Sequence, residues 1–513
     1  MLARVRTAAA VALLAGVPSL AVLALVVLGV GAVQVLGAGS PSGSAALAVL
    51  ALAAALLAHT VVRVLRARPT PPDGLVLPRG SEPALWAVVD RAAEAAGTRP
   101  PDEVRLVTGT STRLSEDVCL VSREPGPRVL GIGVAVLQVL SRAELSFVLA
   151  HELGHLGERH SPASRLTRRA HAALQHVAGD LGARHPLRWL VRAQLAAHAR
   201  VASAAWRRQE LDADAWAAAL SGSEVGVSAL RAVRTTGATW STFVADYASV
   251  GERLGLVPGG LHAGYADFLS EPVRALVDVD LLVEDEARAR SATHPPISDR
   301  IERLHGAPQH GLLDDAEVDD HEPALLVLAD PLAAVEAVEQ QHADARSLTR
   351  VPWEQAVPLG NRHRDRAGTA RLVAAADGLA GGPADLAAIM DLVAGGRGAE
   401  LLAALTGSEP DPEEVPELLE QCLVLLVRTA LVDAGHATHV LRWDRACVVV
   451  DDAGTEVDLL PLVVGVQDDP GHADWLLQVL QAEHVPPTWR PAAGDGGSDD
   501  VAGPGTVPEL APA

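Results

Sequence analysis

The segment S-R-A-E-L-S-F-V-L-A-H-E-L-G-H-L-G-E-R-H, Ser141 to His160, places two histidines four residues apart with a glutamate directly after the first. On a helix, positions i and i+4 share a face, so His151 and His155 project side by side at the spacing of two corners of a metal tetrahedron. Glu152, one helical step away, is then within reach of a water at that metal and is the candidate general base. Further along, W-R-R-Q-E-L-D-A-D-A-W puts Glu210 and Asp214 four apart in a segment of helical character. Both carboxylates share a face. Glu210 is a candidate third ligand, and Asp214 a candidate acceptor for the free N–H of a ligating imidazole. Taken alone, E-x-x-x-D reads more simply as a solvated acidic edge, and H-E-x-x-H as a polar helix face; the case rests on their combination.

The helix that must carry the histidines has a legible start. Ser141 with Glu144 three residues on forms a capping box, which places the first helical residue near Arg142. Leu145, Leu149, Leu153 and Leu156 then make one apolar stripe, with His151 and His155 on a different face. A helix over about Glu82 to Ala96 precedes it, followed by short β-like runs at Val104 to Val107, Val118 to Val121 and Val129 to Ile132. Pro162 to Leu220 reads as helical, with a corner near Pro186. The longer pattern H-E-x-x-H-x-x-G-x-x-H is not met, since Gly157 and His160 each fall one residue early. Another ligand must therefore come from elsewhere.

Composition narrows the classes further. The 513 residues carry a net charge of -22 and contain no lysine, which argues against a nucleic-acid-binding surface. Cys119, Cys422 and Cys447 are far apart without a C-x-x-C, excluding a disulfide framework or thiolate metal site and fitting a reducing compartment. Hydrophobic residues make up 49% of the chain, enough for membrane segments or large cores. Thr7 to Gly37 and Ala45 to Leu65 are long apolar runs, with arginines before the first and at the end of the second. They predict an N-terminal transmembrane helical hairpin with both outer ends, and the rest of the chain, in the cytoplasm. This implies a multi-pass protein of the bacterial inner membrane.

Three ordered motifs now stand in the chain: H-E-L-G-H, E-L-D-A-D, and T-H-P-P-I-S-D-R-I-E-R-L at Thr293 to Leu304. In this order they resemble the HtpX-like and CAAX-prenyl-peptidase family of membrane-anchored zinc metallopeptidases, over roughly Arg79 to Leu304. The resemblance implies one Zn2+ per chain held by His151, His155 and Glu210, Glu152 as general base and Asp214 as the carboxylate behind a ligand. It also implies His294 and Arg300 at the active site, with His294 near the oxyanion, and a gluzincin-type, zincin-like α+β fold. Two features depart from the family. The Asn-Ala often found in the strand region before the catalytic helix is replaced by G-T-S-T-R-L, Gly109 to Leu114. HtpX proteins place membrane spans between the first two motifs, whereas this interval carries Arg165, Arg168, Arg169, Arg184, Arg188, Arg192 and Arg200 and reads as a soluble helical insert.

The expected architecture is mainly α. A transmembrane hairpin occupies residues 1–68, and a helical metallopeptidase domain with a small β-sheet residues 69–306. An acidic linker at 307–322 leads to a mostly helical C-terminal region with a β-hairpin at 323–490, and a disordered tail covers 491–513. The hairpin is read from V-L-R-W-D-R-A-C-V-V-V-D-D-A-G-T-E-V, turned at Asp452 to Gly454. His436 and His439 beside it read as surface polar groups. The expected activity is endopeptidase cleavage of membrane or membrane-proximal polypeptides at the cytoplasmic face, beside the lipid bilayer. The alternatives are a sensor-type membrane metallopeptidase and a catalytically silent scaffold.

Overall fold

In the computed structural model the described residues run from 41 to 491, apart from 69, 118, 120–121, 123–125, 158–161, 183–184, 186, 272–294 and 446–447, together with parts of 26–34. The chain divides into two compact units, Met1–Trp240 with Leu276–His342, and Ser241–Ala275 with Ala343–Ala513. Both are mainly helical with small sheets.

The first unit begins its described part with α1 (Pro41–Arg66), followed by β1 (Leu75–Val76) and α2 (Pro83–Ala96). Then come β2 (Glu103–Val107), β3 (Arg113–Glu116), β4 (Arg128–Gly133) and α3 (Val134–Val139). The strands form one sheet in the order β1-β2-β4-β3, with β2 and β4 parallel and both outer pairs antiparallel. Branched residues with alternating burial make these strands: Val104 and Leu106 pair with Leu130 and Ile132, and all four are fully buried. The third strand lies at 113–116, earlier than the β-like run expected at 118–121, of which residues 118, 120 and 121 lie outside the described residues.

The helix with the histidines is α4 (Arg142–Gly154). Its capping box is formed as expected: the Ser141 hydroxyl accepts from the Glu144 N–H at 3.2 Å and the Glu144 carboxylate accepts from the Ser141 N–H at 2.8 Å. Leu145, Leu149 and Leu153 are fully buried in a core with Leu85, Val89 and Ala92 of α2. Two long helices follow, α5 (Pro162–Asp180) and α6 (Arg188–Ser221), then α7 (Ser223–Phe243) and, later, α8 (Ile297–Gly306). The opposite side of α4 packs on α6. There Gly154 allows a close approach, since a Cβ on it would stand 3.1 Å from the Trp216 ring.

Residues 307–342, read from the sequence as linker and the start of another domain, stay with this unit. Val327 and Leu328 join the core of α2 and α4, and the Ala324 N–H donates to the Leu140 carbonyl at 2.7 Å.

The transmembrane hairpin is not supported. Most of the first apolar run lies outside the described residues, and among the described residues no helix is long and apolar enough to cross a membrane. The second run corresponds to α1, whose C-terminal half has a packing partner within the protein. Val64 packs with Leu174 and Val177 of α5, Thr60 and Val61 are buried, and Arg63 pairs with Asp180 at 3.0 Å. Apolar side chains there serve a helix-helix contact, which hydropathy along the chain does not distinguish from lipid exposure.

In the second unit, α9 (Trp353–Ala380) and α10 (Val415–Ala434) anchor a separate core with Leu372, Ile389, Leu426 and Leu476. The expected hairpin strand pairs across Asp452 to Gly454 through a Val450–Glu456 bridge, and Val448–Val450 also pairs with Thr438–Val440. His439 is buried, contrary to the surface position expected. Its Nε2 lies 2.9 Å from Asp365 Oδ2, and Arg428 donates to both Asp365 oxygens at 2.6 and 2.9 Å. A short strand with the histidine on its inward side is enough to bury a residue that composition places outside.

Candidate metal centre

Helices α4 and α6 cross so that their motif faces meet. His151 on α4 and His155, the residue that caps the helix one turn later, have ring centroids 4.7 Å apart with planes near perpendicular. Glu210, on the facing side of α6, is 1% exposed in its side chain, with Oε2 3.5 Å from His151 Nε2 and Oε1 3.4 Å from His155 Nε2. One donor atom from each of the three lies within 4.8 Å of the others. For metal bonds of about 2.0–2.1 Å, the edge of a tetrahedron is about 3.3–3.4 Å. The two imidazole–carboxylate spacings, one to each Glu210 oxygen, lie close to that edge, and two imidazoles with a carboxylate are the donor set zinc takes at an open catalytic site. The group therefore fits a metal ion with a fourth position left for water or substrate.

Behind the ligands sits a charged layer. Asp214, one turn beyond Glu210 and also 1% exposed, has its Oδ1 2.9 Å from His151 Nδ1. A proton on Nδ1 donated to this oxygen leaves the Nε2 lone pair facing Glu210 and the metal position. Arg300 of α8 clasps the same carboxylate, its Nε and one terminal nitrogen donating at 2.8 and 2.7 Å. Burial raises the Asp214 carboxyl, but the Arg300 charge and hydrogen bonds, with the His151 contact, outweigh it and hold the group down at about 2. In the metal-free protein burial and Arg300 push the His151 imidazole down; Asp214 and Glu210 prevail and raise it to about 9.

Glu152 lies on α4 between the two histidines, partly exposed, and close enough to Arg300 for its charge to support the guanidinium. His294 lies outside the described residues. Arg300 is brought to the site, where it contacts Asp214 and the His151 ring and so positions a ligand.

Two further arginines meet the site that motif spacing did not point to. Arg168, on α5, donates through Nε to Gln209 Oε1 at 2.7 Å and through a terminal nitrogen to Glu210 Oε1 at 2.9 Å. Arg128, at the start of β4, donates to the Leu156 carbonyl at 3.3 Å, tying the end of α4 to the sheet. The sequence showed Arg168 only as a charge that keeps α5 out of a bilayer; its aim depends on how α5 folds back on α6.

Residues 124–307 match the model of Peptidase family M48. The match covers just over a third of the chain and includes both helices of the site and α8. No curated protein and no solved structure matches the chain. The Peptidase family M48 match supports a metallopeptidase, and His151, His155 and Glu210 are the residues within it that could hold the metal.

Proposed function

We propose that the chain is a zinc-dependent endopeptidase that hydrolyses peptide bonds of polypeptide substrates. The observation that carries the reading is the convergence of Glu210 on the two α4 histidines at 3.4 and 3.5 Å from positions more than fifty residues away, with Glu152 beside them. A zinc ion held there supplies Lewis acidity toward the peptide carbonyl and makes water more acidic. Glu152 takes a proton from the attacking water on its carboxylate and passes it to the nitrogen of the departing amine. Asp214 keeps the proton of His151 on Nδ1, and Arg300 keeps Asp214 ionised. His294 is the proposed donor to the oxyanion, a role worth a few kcal/mol for one such group.

Binding of an extended polypeptide is supported by β3, which lies at the edge of the four-stranded sheet and, among the described residues, pairs on one side only. The T-H-P-P-x-x-x-R-I segment favours an HtpX-like specificity over a sensor-type one.

The experiment is casein cleavage by the purified full-length chain with and without a chelator, alongside the Glu152→Gln variant. Activity lost to chelator, restored by zinc and absent from a zinc-loaded Glu152→Gln protein supports the reading. Cleavage that persists in the variant rejects the role of Glu152.

A further inference from the structure

Two consecutive arginines of α5 reach two different parts of the first unit. Arg168 turns to α6, where its Nε donates to Gln209 Oε1 at 2.7 Å and a terminal nitrogen to Glu210 Oε1 at 2.9 Å. Arg169 turns to the sheet and donates to Glu116 Oε2 at 2.7 Å, at the end of β3. Glu116 is itself buried and also pairs with Arg128 at 3.4 Å. The turn of α5 that carries Arg168 is thus tied down on a second side, and Gln209 holds the planar guanidinium through a second donor. Its aim at Glu210 is fixed by both.

What Arg168 does follows from the oxygen it takes. The two oxygens of Glu210 face different imidazoles, Oε2 at 3.5 Å from His151 Nε2 and Oε1 at 3.4 Å from His155 Nε2. A carboxylate can hold a cation through one oxygen or through both. Arg168 engages Oε1 in a charge-assisted hydrogen bond, which draws electron density from that atom and makes it the weaker metal donor of the two. Binding through both oxygens would also bring the cation against the guanidinium, two like charges beside a carboxylate that is 1% exposed. A catalytic zinc keeps one position open and at times expands to five ligands, and a glutamate bound through both oxygens would fill the extra position.

We propose that Arg168 is a positioning residue for the metal ligand: it confines Glu210 to binding through Oε2 alone, so that the ion keeps its open positions for water and the substrate carbonyl. The inference rests on the metallopeptidase reading of the site and extends it to a residue of the helical insert between the first two motifs. Arg168 acts through Glu210, not on the substrate. The insert thereby has a part in the chemistry, since the side chain that sets the ligand's binding mode comes from α5.

The test reads coordination as well as turnover. The full-length wild type, Arg168→Met, Arg169→Met and Glu210→Ala are loaded with Co2+, which absorbs visible light more strongly with four ligands than with five or six. The proposal expects one equivalent in both the wild type and Arg168→Met, with the weaker spectrum in Arg168→Met, where Glu210 closes on the ion with both oxygens. Arg169→Met loosens the same helix without touching Glu210 and keeps the wild-type spectrum. Casein cleavage by zinc-loaded Arg168→Met falls about 10–100-fold in kcat with KM unchanged. Identical spectra for wild type and Arg168→Met overturn the proposal, and so does the same weakening in Arg169→Met, which would be the mark of a loosened helix. Circular dichroism establishes that each variant is folded before its spectrum is used. In crystals of the zinc-loaded wild type, Oε1 stays on Arg168, outside the about 2.0–2.2 Å of a zinc–carboxylate bond; both oxygens at that distance overturn the proposal whatever the variants do. Failure of the metal site itself looks different, since the wild type would then bind no more Co2+ than Glu210→Ala, and the metallopeptidase reading would fall together with the proposal.

Discussion

Replacing Asp214 by Asn tests the layer behind the metal ligands. The carboxylate accepts the His151 Nδ1–H at 2.9 Å and two Arg300 hydrogen bonds at 2.7 and 2.8 Å while almost wholly buried. An amide of the same shape retains one oxygen but brings no charge, so the buried Arg300 guanidinium loses the carboxylate it is hydrogen-bonded to and keeps only the charges of Glu210 and Glu152. Breaking a buried pair in this way costs about 3–5 kcal/mol. With the carboxylate gone, burial and Arg300 are left to act on His151 with only Glu210 opposing them, so its metal-free pKa drops from about 9. The ring also exchanges a charged acceptor for at most a neutral amide oxygen, which holds its tautomer less firmly, and changes of this kind cost about 10–100-fold in metal affinity. Three measurements apply: thermal unfolding of the metal-free protein, zinc affinity by chelator competition, and the His151 titration by NMR. Zinc affinity within twofold of wild type, together with an imidazole still titrating near pH 9, would refute the reasoning.

Glu152→Gln should retain zinc and lose peptidase activity by at least about 10²–10⁴-fold, read by zinc content against casein turnover. In the metal-free protein His151 carries a proton on its ligand atom below about pH 9, so zinc must displace it. Affinity should therefore rise by up to about tenfold per pH unit until about pH 9, with proton release seen by calorimetry in buffers of different ionisation enthalpy; no release at pH 7.5 contradicts this. The folded pKa of this group lies above its ordinary 6.5, so its contribution to metal-free stability is complete below about 6.5 and disappears as pH rises through about 9. Gly154→Ala should lower stability by about 1–3 kcal/mol in thermal unfolding, because the added methyl meets the Trp216 ring at 3.1 Å. An unchanged Tm would mean that α4 and α6 are less closely packed than described.

The residues of the candidate site were legible because their signals are local. Ser141 and Glu144 fix the start of α4 through side chains three residues apart, and helical periodicity then sets the faces of His151, His155, Glu210 and Asp214. Arg168 and Arg128 were not legible, because each acts across a helix pair or from sheet to helix, and no spacing along the chain encodes that approach. The N-terminal apolar runs misled for a related reason: hydropathy reports what a face avoids, and α1 gives part of its apolar face to α5. His439 was missed because burial on a three-residue strand follows from what packs against it, here Asp365 of α9.

The account stands most directly on where a metal ion sits. Crystals of the zinc-loaded full-length chain, with anomalous diffraction recorded on both sides of the zinc edge, locate it. The account predicts a peak about 2.0–2.2 Å from His151 Nε2, His155 Nε2 and a Glu210 oxygen, absent from Glu210→Ala. A chain with no peak there, or with Glu210 turned away from the imidazoles, contradicts it.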